Sequence, residues 1–116
     1  MIKKHIHSYK YALRGIWLAF RYEANMAFHL AGAMVVLILN YTLEISRTDW
    51  IITLMLIGVV WMAEIFNTAI EKLADRVTKE HDPLIAHAKD LAAGAVLIIC
   101  IIAAVSGVII YYPYLF

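Results

Sequence analysis

From Leu91 to Phe116 the chain carries no acidic or basic residue, and that run decides which solvent the protein folds in. A helix needs roughly 20 apolar residues to cross a hydrocarbon core of about 30 Å. Two further stretches of that kind precede it, so the expected spans are 26–43, 50–70 and 91–112. Of the 116 residues, 64% are hydrophobic and 16% charged, whereas soluble domains run to about half and about a quarter. A water-soluble fold of this length cannot bury so much apolar surface. The expected fold class is therefore an all-α membrane protein, a single domain over residues 1–116.

Orientation follows from the basic residues. Lys3, Lys4, Lys10, Arg14 and Arg21 precede the first span, and Lys72, Arg76, Lys79 and Lys89 lie between the second and third. Only Arg47 falls in the loop between the first two. The bias toward basic residues on one side predicts that this side is cytoplasmic, with Tyr111, Tyr112, Tyr114 and Phe116 at the outer interface. The N-terminal stretch has no apolar core followed by a small-residue cleavage site, so no cleaved signal peptide is expected. Residues 3–22 instead alternate apolar and basic positions at helical spacing. Ile6, Leu13, Ile16, Trp17 and Phe20 share a broad face, which predicts an amphipathic helix lying on the membrane surface. Asp82-Pro83 interrupts the helical run, so a loop is expected between the second and third spans. Gly32, Gly58, Gly94 and Gly107 are expected at close helix contacts.

A net charge of +1 gives no basic face for nucleic acid. Cys100 is the only cysteine, lies in an apolar run, and reads as a packing residue. The five histidines show no spacing that makes a metal site.

The second span is unusual because Glu64 and Asn67 lie within it. At about 100° per residue, Glu64, Asn67, Glu71 and Asp75 fall within roughly 80° of one another on a helix. Three carboxylates and an amide thus form one stripe that descends from the membrane toward the cytoplasm. An ionisable group at membrane depth costs several kcal/mol unless paired or hydrated, so function is the default reading of Glu64. Glu71 and Asp75, near basic neighbours, also suit a solvated helix end. Carboxylates close to a lysine such as Lys89 fit a divalent metal and phosphate: Mg²⁺ takes oxygen ligands and shares them with substrate phosphates, and a lysine offers a point charge to a phosphoryl group. Glu23, at the start of the first span, would add a carboxylate from another helix. There is no P-loop sequence and no protein-kinase motif set.

The blocks Glu64-Ile-Phe-Asn67-Thr-Ala-Ile-Glu71 with Asp75, and Ala88-Lys89-Asp90-Leu-Ala-Ala-Gly-Ala-Val-Leu97, resemble the bacterial membrane diacylglycerol kinase and undecaprenol kinase family. The resemblance covers nearly the whole chain and implies an ATP-dependent lipid kinase in the bacterial cytoplasmic membrane, assembled as a homotrimer with sites shared between subunits. It implies that Glu64 is the general base toward the lipid hydroxyl, and that Glu71 and Glu23 hold Mg²⁺ on the nucleotide. Asn67 and Lys89 would position the γ-phosphate, Asp75 and Asp90 would complete the polar network around ATP, and Tyr11 and Arg14 match positions near the nucleotide. Glu23-Ala-Asn25-Met-Ala-Phe-His29 is similar to the undecaprenol kinases of Gram-positive bacteria, while Gram-negative diacylglycerol kinases carry an acidic residue where His29 stands. Undecaprenol is therefore the expected acceptor, with diacylglycerol the alternative, and His29 is expected at the lipid head. A small proton-coupled transporter would also use a membrane-embedded glutamate. It would not require Asn67, Glu71, Asp75, Lys89 and Asp90, and such chains have four spans rather than three.

Overall fold

The computed structural model describes residues 1–116, and its regular structure is entirely helical: α1 Ile2–Tyr22, α2 Ala24–Thr42, α3 Arg47–Val77 and α4 Pro83–Leu115. The last three are long and apolar enough to cross a membrane, as the three apolar runs predict. Two of these helices outrun the spans. α3 has 31 residues and α4 has 33, about 46 and 50 Å at 1.5 Å per residue, against a hydrocarbon core of about 30 Å. The excess of each lies at the end rich in basic residues, where α3 carries Glu71 and Asp75 and α4 carries Lys89 and Asp90.

The turns between helices follow from local chemistry. Glu23 alone joins α1 to α2. Its backbone is extended (φ −98°, ψ 117°), its N–H caps α1 on the Ala19 carbonyl, and its own carbonyl accepts from Met26. Its carboxylate thereby stands at the N-terminus of α2, where the helix dipole favours negative charge. Just past the end of α2, Glu44 adopts a left-handed φ of 50°. The Ile45 N–H then bonds the Asn40 carbonyl and the Glu44 N–H bonds that of Tyr41, a pattern that satisfies two of the helix's terminal carbonyls. Ser46 starts α3 by accepting from the Asp49 N–H at 3.1 Å. Asp82 starts α4 by accepting from Leu84 and Ile85, with Pro83 in the first turn, where a missing N–H costs nothing.

α3 and α4 pack most extensively, α2 lies against α3, and α1 touches α2. Only 11 of 116 residues are buried, so the chain has almost no interior of its own and its apolar side chains face outward along every span. An apolar face of that extent requires lipid or further protein around it. Gly32, Gly58, Gly94 and Gly107 depart from expectation: an added Cβ would meet nothing within 4 Å at any of them. No close helix contact is made at these positions within the chain, and Gly32 and Gly107 instead line a cavity of about 230 Å³ between α2, α3 and α4.

At the end away from most basic residues, polar side chains tie the helices together. Asn40 is fully buried, donates to the Thr53 hydroxyl at 2.9 Å and accepts from the Tyr111 hydroxyl. The Tyr114 hydroxyl donates to Asp49 at 2.9 Å and accepts from the Ser46 N–H at 3.0 Å. These bonds pin the end of α4 to the α2–α3 turn.

Candidate active site

Glu64 and Asn67 lie on the face of α3 turned inward, 4% and 8% exposed. A carboxylate so placed must find polar partners, and α2 supplies a hydrogen-bond donor and a nearby imidazole. Asn25 Nδ2 donates to Glu64 Oε1 at 3.2 Å, and His29 Nε2 lies 3.5 Å from Oε2. The His29 carbonyl in turn accepts from the Trp61 indole N–H at 3.4 Å, which fixes α2 against α3 one turn before Glu64.

The row continues along α3. Asn67 Nδ2 donates to Glu71 Oε1 at 3.4 Å, while the Asn67 Oδ1 is buried without a partner. Asp75 accepts from Lys89 Nζ at 2.6 Å, so the expected meeting of carboxylate and lysine is made between α3 and α4. Lys89 stands on α4 before the apolar run begins. The Asp75 hydrogen bond raises its ammonium above the ordinary 10.5, opposed by partial loss of hydration and reinforced by the charges of Asp75 and Glu71. The lysine is therefore a lasting positive charge at the end of the row.

Glu23 pairs with Lys72 at 3.1 Å; both are accessible, so the pair adds about 1 kcal/mol or less. They border a second cavity, of about 470 Å³, between α1 and α3, walled also by Tyr22 and Thr68. No three His, Cys, Asp or Glu side chains converge into a metal cluster within the chain. Tyr11, Arg14 and Asp90 are exposed and are not joined to the Glu64–Asp75 row by any ion pair.

The resulting arrangement has three zones. A buried carboxylate held by an amide and an imidazole lies inside the span. Along the helix follow an amide oxygen with free lone pairs and a second carboxylate, and then a lysine–aspartate pair at the open end. Glu64 and Asp75 are eleven residues apart, about 16 Å along the helix axis, a distance that suits an elongated polar substrate better than a single ion. The first cavity begins at His29 and Trp61, beside Glu64, and is lined mainly by apolar side chains such as Val36, Leu56 and Ile57. Asn25 was not singled out as a site residue from sequence. Its signal lay in its position four residues before His29, which puts both on one face of an otherwise apolar helix.

Comparison with known proteins places the chain among bacterial lipid kinases. The family described as prokaryotic diacylglycerol kinase matches residues 10–111. The undecaprenol kinase of Bacillus subtilis is 41% identical over 112 residues, covering 97% of this chain and 91% of its own. The diacylglycerol kinase of Haemophilus influenzae is 30% identical over 92% of both chains. That of Escherichia coli is 28% identical over 98% of this chain and 90% of its own.

Proposed function

This chain belongs to the prokaryotic diacylglycerol kinase family and is a membrane lipid kinase, and on that premise we propose that it phosphorylates undecaprenol with Mg-ATP on the cytoplasmic side of a bacterial inner membrane. The observation that carries the reading is Glu64, a buried and hydrogen-bonded carboxylate beside an apolar cavity at one end of a polar row. The choice of undecaprenol over diacylglycerol is supported by the 41% identity to an undecaprenol kinase, against 30% and 28% to diacylglycerol kinases.

In the proposed reaction the lipid hydroxyl oxygen attacks the γ-phosphorus, its proton passes to Glu64, and the bond to the bridging oxygen breaks to release ADP. Phosphoryl transfer requires chiefly positioning and neutralisation of charge. Asn67 and Lys89 would orient the γ-phosphate, with Asp75 holding Lys89 in place. Asp90, Tyr11 and Arg14 would meet the rest of the nucleotide. The unpartnered Asn67 Oδ1 and the adjacent Glu71 carboxylate are hard oxygen donors of the type Mg²⁺ takes, and Glu71 and Glu23 would hold it on the phosphates. Bound there, Mg²⁺ would neutralise phosphate charge.

α1 would lie along the membrane surface, its basic residues at the headgroups. By the family resemblance the chain would assemble as a homotrimer, and its sparse interior leaves the spans to be covered by lipid and neighbouring chains. Lipid would enter from the bilayer and ATP from the aqueous side, meeting at the depth of Glu64.

The test is transfer of labelled γ-phosphate from Mg-ATP by purified protein in mixed micelles, with undecaprenol and diacylglycerol side by side. Faster labelling of undecaprenol is the expected result. Preference for diacylglycerol would overturn the acceptor and keep the chemistry, and labelling of neither by folded protein would overturn both.

A further inference from the structure

We propose that Asn25 and His29 are positioning residues for Glu64, a two-point grip on α2 that holds the carboxylate in the orientation needed to receive the acceptor proton. The proposal rests on the kinase reading above and adds to it a role for two residues of the first span.

Three observations carry it. Asn25 and His29 are four residues apart, hence stacked on one face of α2, and they engage different oxygens of the same carboxylate, Oε1 at 3.2 Å and Oε2 at 3.5 Å. No other side chain bonds Glu64: its neighbours along α3 pair elsewhere, Asn67 with Glu71 and Asp75 with Lys89. The position of His29 is itself fixed, because its carbonyl accepts from the Trp61 indole one turn from Glu64. The grip therefore does not depend on a single long contact.

The physical need for such a grip is specific to this site. The terminal torsion of a glutamate is broad, so a carboxylate bonded at neither oxygen would sample many orientations. An ionised one at membrane depth would also lack the donors that make burial tolerable. The Asn25 donor on one oxygen and the His29 ring nitrogen within ion-pair range of the other act against both problems. They leave one lone pair per oxygen free to accept the hydroxyl proton. His29 also forms part of the wall of the 230 Å³ cavity, so the grip stands between the base and the apolar space beside it. That position makes a different role, direct contact with the lipid head, the alternative to be distinguished.

Steady-state kinetics separate the two. His29→Ala should lower kcat about tenfold or more, the scale on which misorientation of a reacting group acts, while the KM for undecaprenol and for ATP stay within about twofold. His29→Gln, which keeps an N–H donor on a neutral side chain, should recover most of the lost kcat, and Asn25→Ala should reproduce the loss seen in His29→Ala. A raised KM for the lipid with kcat unchanged would overturn the proposal and make His29 a lipid contact. Equal impairment in His29→Gln and His29→Ala would also overturn it. Should His29→Ala fail to fold, by circular dichroism and gel filtration in detergent, the same comparison between Asn25→Ala, His29→Gln and wild type decides. Absence of phosphate transfer by the wild-type chain itself would instead be the failure of the kinase reading.

Discussion

Replacing Glu64 by Gln changes one oxygen to an amide nitrogen and leaves the shape of the side chain intact. The packing of α3 is then kept and the proton acceptor is lost, so kcat should fall at least about a hundredfold, in the range typical of general-base loss. Nucleotide affinity, proposed to depend on Glu71 and Asp75 further along α3 and on Lys89 of α4, should be unchanged. Normal turnover in Glu64→Gln would remove Glu64 from the mechanism. Glu71→Ala should behave differently, raising the Mg²⁺ concentration needed for half-maximal rate; a titration overlapping that of wild type would show that Glu71 holds no metal. The stripe from Glu64 to Asp75 was legible in the sequence because it lies on one helix, where spacing alone fixes direction. The partners of Glu64 were not, because Asn25 and His29 lie more than thirty residues earlier and reach it only through the packing of α2 on α3. The same holds for Glu23: its partner is Lys72, a pairing across helices that no periodicity encodes.

The helices show where reading by hydropathy succeeds and where it stops. The three apolar runs mark the parts that lipid surrounds, and each lies within or against an observed helix. They do not mark the true ends, because α3 continues to Val77 and α4 begins at Pro83, in polar sequence where capping and helix propensity decide. Asp82-Pro83 marks the break between the second and third spans, and α4 begins there rather than at Leu91. The close of α2 carried no comparable signal: Glu44 takes a left-handed φ of 50°, a position for which glycine is the usual residue. The strain of a side chain there is about 1–2 kcal/mol, and the extra freedom glycine has when unfolded offsets roughly 0.5–1 kcal/mol of it. Glu44→Gly should therefore stabilise the protein by about 1 kcal/mol or less, read as a rise in Tm in detergent. A fall in Tm would mean that the Glu44 side chain makes a stabilising contact stronger than the strain. Tyr114→Phe tests the other side of the same turn. It removes both the donor to Asp49 and the acceptor for the Ser46 N–H, and at this partly solvated site the loss should be about 1 kcal/mol per bond, with lipid phosphorylation little affected because the bonds lie far along α3 from Glu64.

At the scale of the whole molecule, a chain with 11 buried residues of 116 holds its candidate base on one helix and Asp90 on another that faces outward. Lys89 turns toward its own α3, where it meets Asp75 at 2.6 Å. Asp90 is the next residue, about 100° further round α4, and it is exposed. If subunits share sites in a trimer, Asp90 serves the site of a neighbouring chain, and defects on different helices can then complement one another. Glu64→Gln and Asp90→Asn chains, each nearly inactive alone, are to be unfolded together, mixed in equal amounts and refolded. In shared sites a random assembly places an intact Glu64 beside an intact neighbouring Asp90 in about a quarter of cases, so about a quarter of wild-type activity should return. If instead every chain contains its whole site, each chain in the mixture carries one defect, and the mixture should be no more active than the two variants apart. A control mixture of Glu64→Gln with Glu64→Ala should recover nothing in either case, which separates complementation from improved refolding. Recovery near a quarter would place catalysis at the junction between chains, with Glu64 of α3 and Asp90 of α4 contributed by different copies.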